Sequence, residues 1–96
     1  SSLALALLLI DLEGRVLDGG AHPIAGATVR VAGLVQATTD SEGRYQLSVP
    51  HAGTYRISAS RLSFARAAVD VPVREEMNPV RVPDLVLPLV DFEVPG

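Results

Sequence analysis

Few residues of this 96-residue chain have types that could do chemistry, and their spacing favours structural roles. Asp18, Asp40 and Glu42 offer oxygen ligands of the kind that Ca²⁺ prefers. A calcium loop needs several such oxygens within a few residues, and the stretch from Asp40 to Gly43 supplies only two side chains. Because Asp bonds readily to its own backbone and Gly accepts a positive φ, the same stretch is typical of a β-turn. We interpret it as a turn.

His22 and His51 are the only histidines, and each adjoins a proline in a predicted loop. A zinc site or a catalytic base would need further partners at defined spacing, and the chain has no Cys to add ligands. The sequence also lacks the Gly-x-Ser-x-Gly turn that presents a nucleophilic serine. We therefore expect no catalytic residue, no metal, no cofactor and no enzyme activity.

Composition narrows the class of protein further. The net charge is −3, and all eight basic residues are Arg, scattered without a basic stripe. A nucleic-acid partner is therefore not expected. With 48% apolar and 20% charged residues, the chain is typical of a folded globular protein. Its length favours one domain, which we place at residues 1–96.

Alternation of apolar and polar residues predicts an all-β protein of about seven strands. Inward-facing rows are expected at Ala27, Val29 and Val31, at Tyr45, Leu47 and Val49, and at Tyr55, Ile57 and Ala59. The first strand is expected over residues 3–17 and the last over residues 80–94. Pro72 predicts an edge position or a strand end, because proline cannot donate to a central ladder.

Gly, Pro and Asp residues separate these strands where turns need them. The predicted structural turn residues are Asp18, Pro23, Gly26, Asp40, Gly43, Pro50 and Gly53.

Four ordered motifs resemble the carboxypeptidase regulatory-like domain, a transthyretin-like (prealbumin-like), Ig-like Greek-key β-sandwich. They are Gly14-x-Val16-x-Asp18, Pro23-x-x-Gly26-Ala27-x-Val29, Thr39-Asp40-x-x-Gly43-x-Tyr45, and Pro50-x-x-Gly53-x-Tyr55. One departure is Ser63 before Phe64, where the family usually places Gly. The resemblance implies an accessory module of an exported or surface bacterial protein, and hence an extracytoplasmic location.

Apolar terminal strands are expected at residues 3–10 and 85–94, and their outer parts, residues 3–10 and 89–94, extend beyond the usual domain. Residues 3–10 are apolar on both faces, so a strand there must be covered on both sides. They are too short for a membrane span, which takes about 20 residues. Either the two segments pair within one sandwich, or they contact a second copy or a neighbouring domain. The candidate interaction residues are Leu3, Leu5, Leu7, Leu9, Leu87, Leu89 and Phe92.

The expected function is that of a non-enzymatic structural or protein-interaction module in a larger protein. Its partner would be another protein, a neighbouring domain, or a second copy bound through the terminal strands. The alternative is a carbohydrate- or peptide-binding module that uses loops around His22, His51 and Phe64. An interaction module has its extra apolar side chains on strands, whereas a ligand-binding module needs a pocket between loops with converging polar groups.

Overall fold

Eight β-strands make up the regular structure of this protein in a computed structural model that describes residues 9–89. They are β1 (Ile10–Asp18), β2 (Thr28–Val31), β3 (Val35–Thr38), β4 (Arg44–Val49), β5 (Gly53–Ser60), β6 (Ala67–Val73), β7 (Val80–Arg81) and β8 (Leu85–Leu87). No helix among these residues is long and apolar enough to cross a membrane.

The strands form two sheets of four strands each. In the first sheet, β1 pairs with β4 on one side and with the short strands β7 and β8 on the other. The second sheet has the order β3-β2-β5-β6. The chain changes sheets after β1, β3, β4 and β6, and the predicted all-β sandwich is confirmed.

The last predicted strand is divided in two, which raises the strand count from about seven to eight. Pro83 lies between β7 and β8, and proline has no N–H to give to a ladder. Both short strands run parallel to β1: Val80 is paired with Leu12, and Leu87 with Asp18. Residues 80–87 therefore run alongside β1 in the same direction.

The apolar rows predicted from alternation lie between the two sheets. The largest fully buried side chains are those of Leu12, Val16, Val29, Val49, Ile57 and Leu87. Tyr45 is buried as predicted, whereas Tyr55 is only half-buried, with its hydroxyl donating to the His51 carbonyl at 2.7 Å. Each fully buried aliphatic side chain contributes about 1.5–3 kcal/mol of transfer free energy.

The edge position predicted for Pro72 is confirmed. Pro72 belongs to β6, which ends the second sheet and pairs only with β5 among the described strands. The first strand begins at Ile10 in the described part of the chain, and residues 3–8 of its predicted extent lie outside the described residues.

Candidate functional site

The two ends of the described chain lie at opposite ends of the sandwich. Leu9 precedes the first residue of β1, while Leu89 follows β8, whose last residue is paired with the last residue of β1. Since β1 has nine residues, these two points are separated by about 30 Å. Within residues 9–89 the two ends do not meet.

Leu9 marks the N-terminal end of the sandwich. Its side chain is 46% exposed, and its carbonyl accepts a hydrogen bond from the Asn78 side-chain amide at 3.4 Å. The Asn78 side-chain oxygen Oδ1 in turn accepts from the Asp11 backbone N–H at 3.1 Å. Asn78 thus holds the start of β1 against the loop between β6 and β7, and the neighbouring Met77 is also exposed.

An apolar surface lies at the other end, and we call Leu62, Phe64 and Leu89 the C-terminal patch. Leu62 is 83% exposed and Leu89 70%. Phe64 and Leu89 form an isolated antiparallel bridge, and the Ala65 N–H donates to the Pro88 carbonyl at 2.8 Å. Phe64 is half-buried against the core, opposite Leu89 in the bridge and two residues after Leu62. Leu62 was not among the candidate interaction residues, although a leucine between the polar residues Arg61 and Ser63, in the loop predicted around Phe64, indicates an exposed apolar side chain.

The candidate interaction residues are thus distributed unevenly. Leu9 and Leu89 are exposed, whereas Leu87 is 0% exposed and lies in the core. Placing Leu87 on an interaction surface was wrong, because β8 turns this side chain between the sheets. Leu3, Leu5, Leu7 and Phe92 lie outside the described residues.

The histidines do not form one loop site. His51 follows β4, whose Val49 is paired with Ile10 at the start of β1. His22 follows Asp18 at the other end of β1 and donates its backbone N–H to the Asp18 carboxylate at 2.9 Å. The two histidines therefore lie at opposite ends of the sandwich, and no single pocket holds His22, His51 and Phe64 together.

A groove of about 920 Å³ runs over the middle of β1 and onto the adjacent strands. Charges of both signs line it, from Glu13, Arg15, Arg44, Arg81 and Asp84. Arg15 and Asp84 are separated by 3.8 Å and are both about half exposed, a pairing worth less than about 1 kcal/mol. Because positive and negative groups both line the groove, it shows no preference for the charge of a ligand.

Tyr45 lies beneath this groove and packs on Gly14, its cross-strand partner in β1. Its hydroxyl is buried and has no hydrogen-bond partner among residues 9–89. Burial raises the pKa of Tyr45 well above its usual value, and the nearby Asp84 charge raises it further. The phenol therefore stays neutral at physiological pH and serves in packing.

The turn between β3 and β4 shows why the Thr39-Asp40-x-x-Gly43 motif has these residues. The buried Thr39 hydroxyl donates to the Ile24 carbonyl at 2.6 Å and accepts from the Ala27 N–H at 2.8 Å. The Asp40 carboxylate accepts from the N–H groups of Glu42 and Arg44, both at 2.9 Å. Gly43 has a φ of +73°, and a Cβ there would lie 2.7 Å from the Val16 carbonyl oxygen.

The other predicted turn residues also lie in the connections between strands or where strands begin or end. Asp18 ends β1 and accepts from the Gly20 N–H at 2.8 Å, Pro23 bridges to Leu17, and Gly26 has a φ of +74°. Pro50 follows β4, and Gly53 begins β5. Within residues 9–89, no three or more His, Asp or Glu side chains cluster as a metal site would require.

Comparisons with solved structures support the fold. Two similar chains come from crystal structures of a type II Cohesin-X-Dockerin complex of Acetivibrio cellulolyticus, one an N-terminal and one a C-terminal interface mutant. The first aligns with a TM-score of 0.70 at 18% identity over 88% of this chain, and the second with 0.66 at 19% over 81%. This chain spans 61% and 56% of those chains, so the likeness shows a shared fold over part of each.

Sequence comparison identifies the family. None of the curated proteins matches the sequence. The profile of the carboxypeptidase regulatory-like domain matches residues 11–87, which include all eight strands except the first residue of β1. The matched range includes the four motifs from Gly14 to Tyr55. The chain belongs to the carboxypeptidase regulatory-like domain family.

Proposed function

We propose that this domain is a non-catalytic structural and protein-interaction module of a larger exported or cell-surface bacterial protein, and that it associates through its terminal segments. The observation that carries the proposal is the position of Leu9 and Leu89, exposed at opposite ends of the sandwich. Such a domain can have a neighbouring domain at each end. At each end the neighbour would contact an exposed leucine, Leu9 or Leu89.

The sequence beyond Leu9 strengthens the apolar character of the N-terminal end. Leu3, Leu5 and Leu7 continue the row that includes Leu9, and residues 1–10 carry no charged side chain. Burying five such side chains in a contact would contribute about 8–15 kcal/mol, at about 1.5–3 kcal/mol each. This matches the cost of association, about 4–15 kcal/mol, so a contact of this size can form.

Family and fold agree with a role in protein contact. Membership in the carboxypeptidase regulatory-like family is consistent with an accessory module and an extracytoplasmic location. The two similar solved chains belong to a protein complex whose interfaces were mutated. At 18–19% identity they support the fold, and the contact surface proposed here rests on this chain's own residues.

Light scattering on a sizing column tests the proposal. We expect the whole chain to be larger than a monomer and a chain starting at Ile10 to be monomeric. A full-length L5S/L7S variant, which keeps the length but lowers the apolar surface, should also be monomeric. A whole chain that is monomeric at its highest soluble concentration would contradict association through the terminal segments.

A single carbohydrate or peptide site that combines His22, His51 and Phe64 gains no support from the geometry, because His22 and His51 are at opposite ends of the molecule.

A further inference from the structure

We infer that the N-terminal segment of one copy, residues 3–9, docks on the C-terminal patch of a second copy, so that the contact is head to tail. This inference rests on the proposed function and names the surface that receives the segment. The patch consists of Leu62, Phe64 and Leu89, as defined above.

The patch has the character of a docking surface. Single exposed leucines are common on protein surfaces, whereas apolar residues held side by side mark interaction sites. Here the Phe64–Leu89 bridge and the hydrogen bond from Ala65 to Pro88 hold two separate chain segments together. Leu62 is carried by the same short loop, whose turn is closed by the Phe64 N–H donating to the Arg61 carbonyl at 3.0 Å.

The distance between Leu9 and the C-terminal patch requires that the docked residues 3–9 come from another copy. The patch lies beyond the far end of β1, about 30 Å from Leu9. Residues 3–9 can extend over only about 20 Å, and they would have to reverse direction to follow β1. The segment therefore cannot reach the patch of its own domain, whatever precedes it in the chain.

The chemistry of the segment fits an apolar patch. Residues 3–10 carry no charged or polar side chain, so no side chain of the segment requires water or an ion-pair partner. A strand that is apolar on both faces gains most when both faces are covered. A second copy supplies such cover on a surface that its own described residues leave exposed.

A contact of this type joins two different surfaces, and two antiparallel copies can make it twice, each segment on the other copy's patch. Copies that make the contact once each leave one free segment and one free patch, so further copies can add to the series. In both arrangements the mass of the whole chain should rise with concentration from the monomer to at least the dimer.

A complementation experiment tests the inference by light scattering. One variant starts at Ile10 and keeps the patch; the other, L62S/L89S, keeps the segment. We expect each to be monomeric alone and an equimolar mixture to form a complex of one copy of each, with nothing larger. L34S, which alters an exposed leucine in the turn between β2 and β3, is the matched control and should associate like the whole chain. Circular dichroism melts check that each variant is folded.

Three results would overturn the inference. If L62S/L89S associates as the whole chain does while the chain starting at Ile10 is monomeric, the segments pair with each other, and only the proposed function survives. If a chain ending at Leu89 associates more strongly than the whole chain, residues 90–96 cover the patch in the native protein. If the whole chain is monomeric, the proposed function itself fails.

Discussion

At position 14 the packing of the sandwich leaves no room for a side chain larger than that of glycine. A Cβ at this position would lie 2.5 Å from the Tyr45 hydroxyl oxygen and 2.8 Å from its Cζ. Because Tyr45 is buried, its ring has little room to move. We predict that Gly14→Ala lowers the free energy of unfolding by about 1–3 kcal/mol, the usual cost of overpacking. Urea denaturation measures this change.

Gly19→Ala is the matched control, because nothing lies within 4 Å of a Cβ there, and it should change stability by less than about 0.5 kcal/mol. In a Tyr45→Phe background Gly14→Ala should cost less, since the nearest atom is then removed. Equal stability of the Gly14→Ala and Gly19→Ala variants would show that Tyr45 does not constrain residue 14.

Ser63 occupies a backbone conformation that favours glycine. Its φ is +78°, in the left-handed region where a side chain costs about 1–2 kcal/mol. The family usually places Gly before this aromatic residue, and the φ value gives the physical reason. We predict that Ser63→Gly raises the free energy of unfolding by about 0.5–1 kcal/mol, measured by urea denaturation. This figure is the relieved strain less the cost of the greater backbone freedom that glycine has in the unfolded chain.

Ser60→Gly provides the comparison, because Ser60 lies in the regular strand β5. Glycine in a strand loses more conformational freedom on folding, so this variant should be less stable by about 0.5–1 kcal/mol. If both substitutions have the same sign, relief of the left-handed conformation is not the cause.

Two turns contain an aspartate, Asp18 or Asp40, whose charged form is stabilised by backbone hydrogen bonds. The N–H groups of Arg44 and Glu42 hold the pKa of Asp40 below its ordinary value of 3.8. The N–H of His22 does the same for Asp18, followed by that of Gly20. A lowered folded-state pKa means that the carboxylate stabilises the fold fully above pH 3.8. That contribution is lost as the pH falls through the lower, folded-state value.

We predict that stability decreases on acidification below about pH 4 and that Asp40→Asn makes this decrease smaller. Urea midpoints measured from pH 7 to about pH 2 provide the test. Asp70→Asn serves as control, because among residues 9–89 the Asp70 carboxylate pairs with the exposed Arg56 side chain alone, at 3.4 Å. A decrease that Asp40→Asn leaves unchanged would place its origin elsewhere.

The packing of the two sheets determines that Leu87 is buried in the core while Leu89 is exposed. Leu87 is 0% exposed and Leu89 is 70% exposed, although they are two residues apart. We predict that Leu87→Ala lowers the free energy of unfolding by about 2–5 kcal/mol, through the lost burial and the cavity left behind. Leu89→Ala should change it by less than about 0.5 kcal/mol while weakening self-association. Similar losses of stability in both variants would mean that Leu89 also belongs to the core.

Much of the fold could be predicted from local patterns. The alternation at Val29, Val31, Leu47 and Val49 identified buried residues, because a strand turns successive side chains to opposite faces. The edge position of Pro72 followed from its missing N–H. Patterns of this kind depend on neighbouring residues alone.

The candidate site could be predicted only in part. Leu87 and Leu89 occur in the same alternating row of the sequence, so nothing local separated the buried residue from the exposed one. Leu62 and Leu89 lie on segments that are brought together by the bridge between Phe64 and Leu89, two residues far apart in the sequence. His22 and His51 were considered for one site because the sequence does not state at which end of the sandwich each loop lies.

By itself, the sequence determined the family and the all-β architecture, because turn chemistry and two-residue alternation are local properties of the chain. Only the tertiary structure decided that Leu9 and Leu89 lie at opposite ends of the molecule. That outcome depends on the parallel pairing of β7 and β8 with β1, between residues separated by most of the chain. Packing of the two sheets selects this pairing, since it places Val80, Leu85 and Leu87 in the common core.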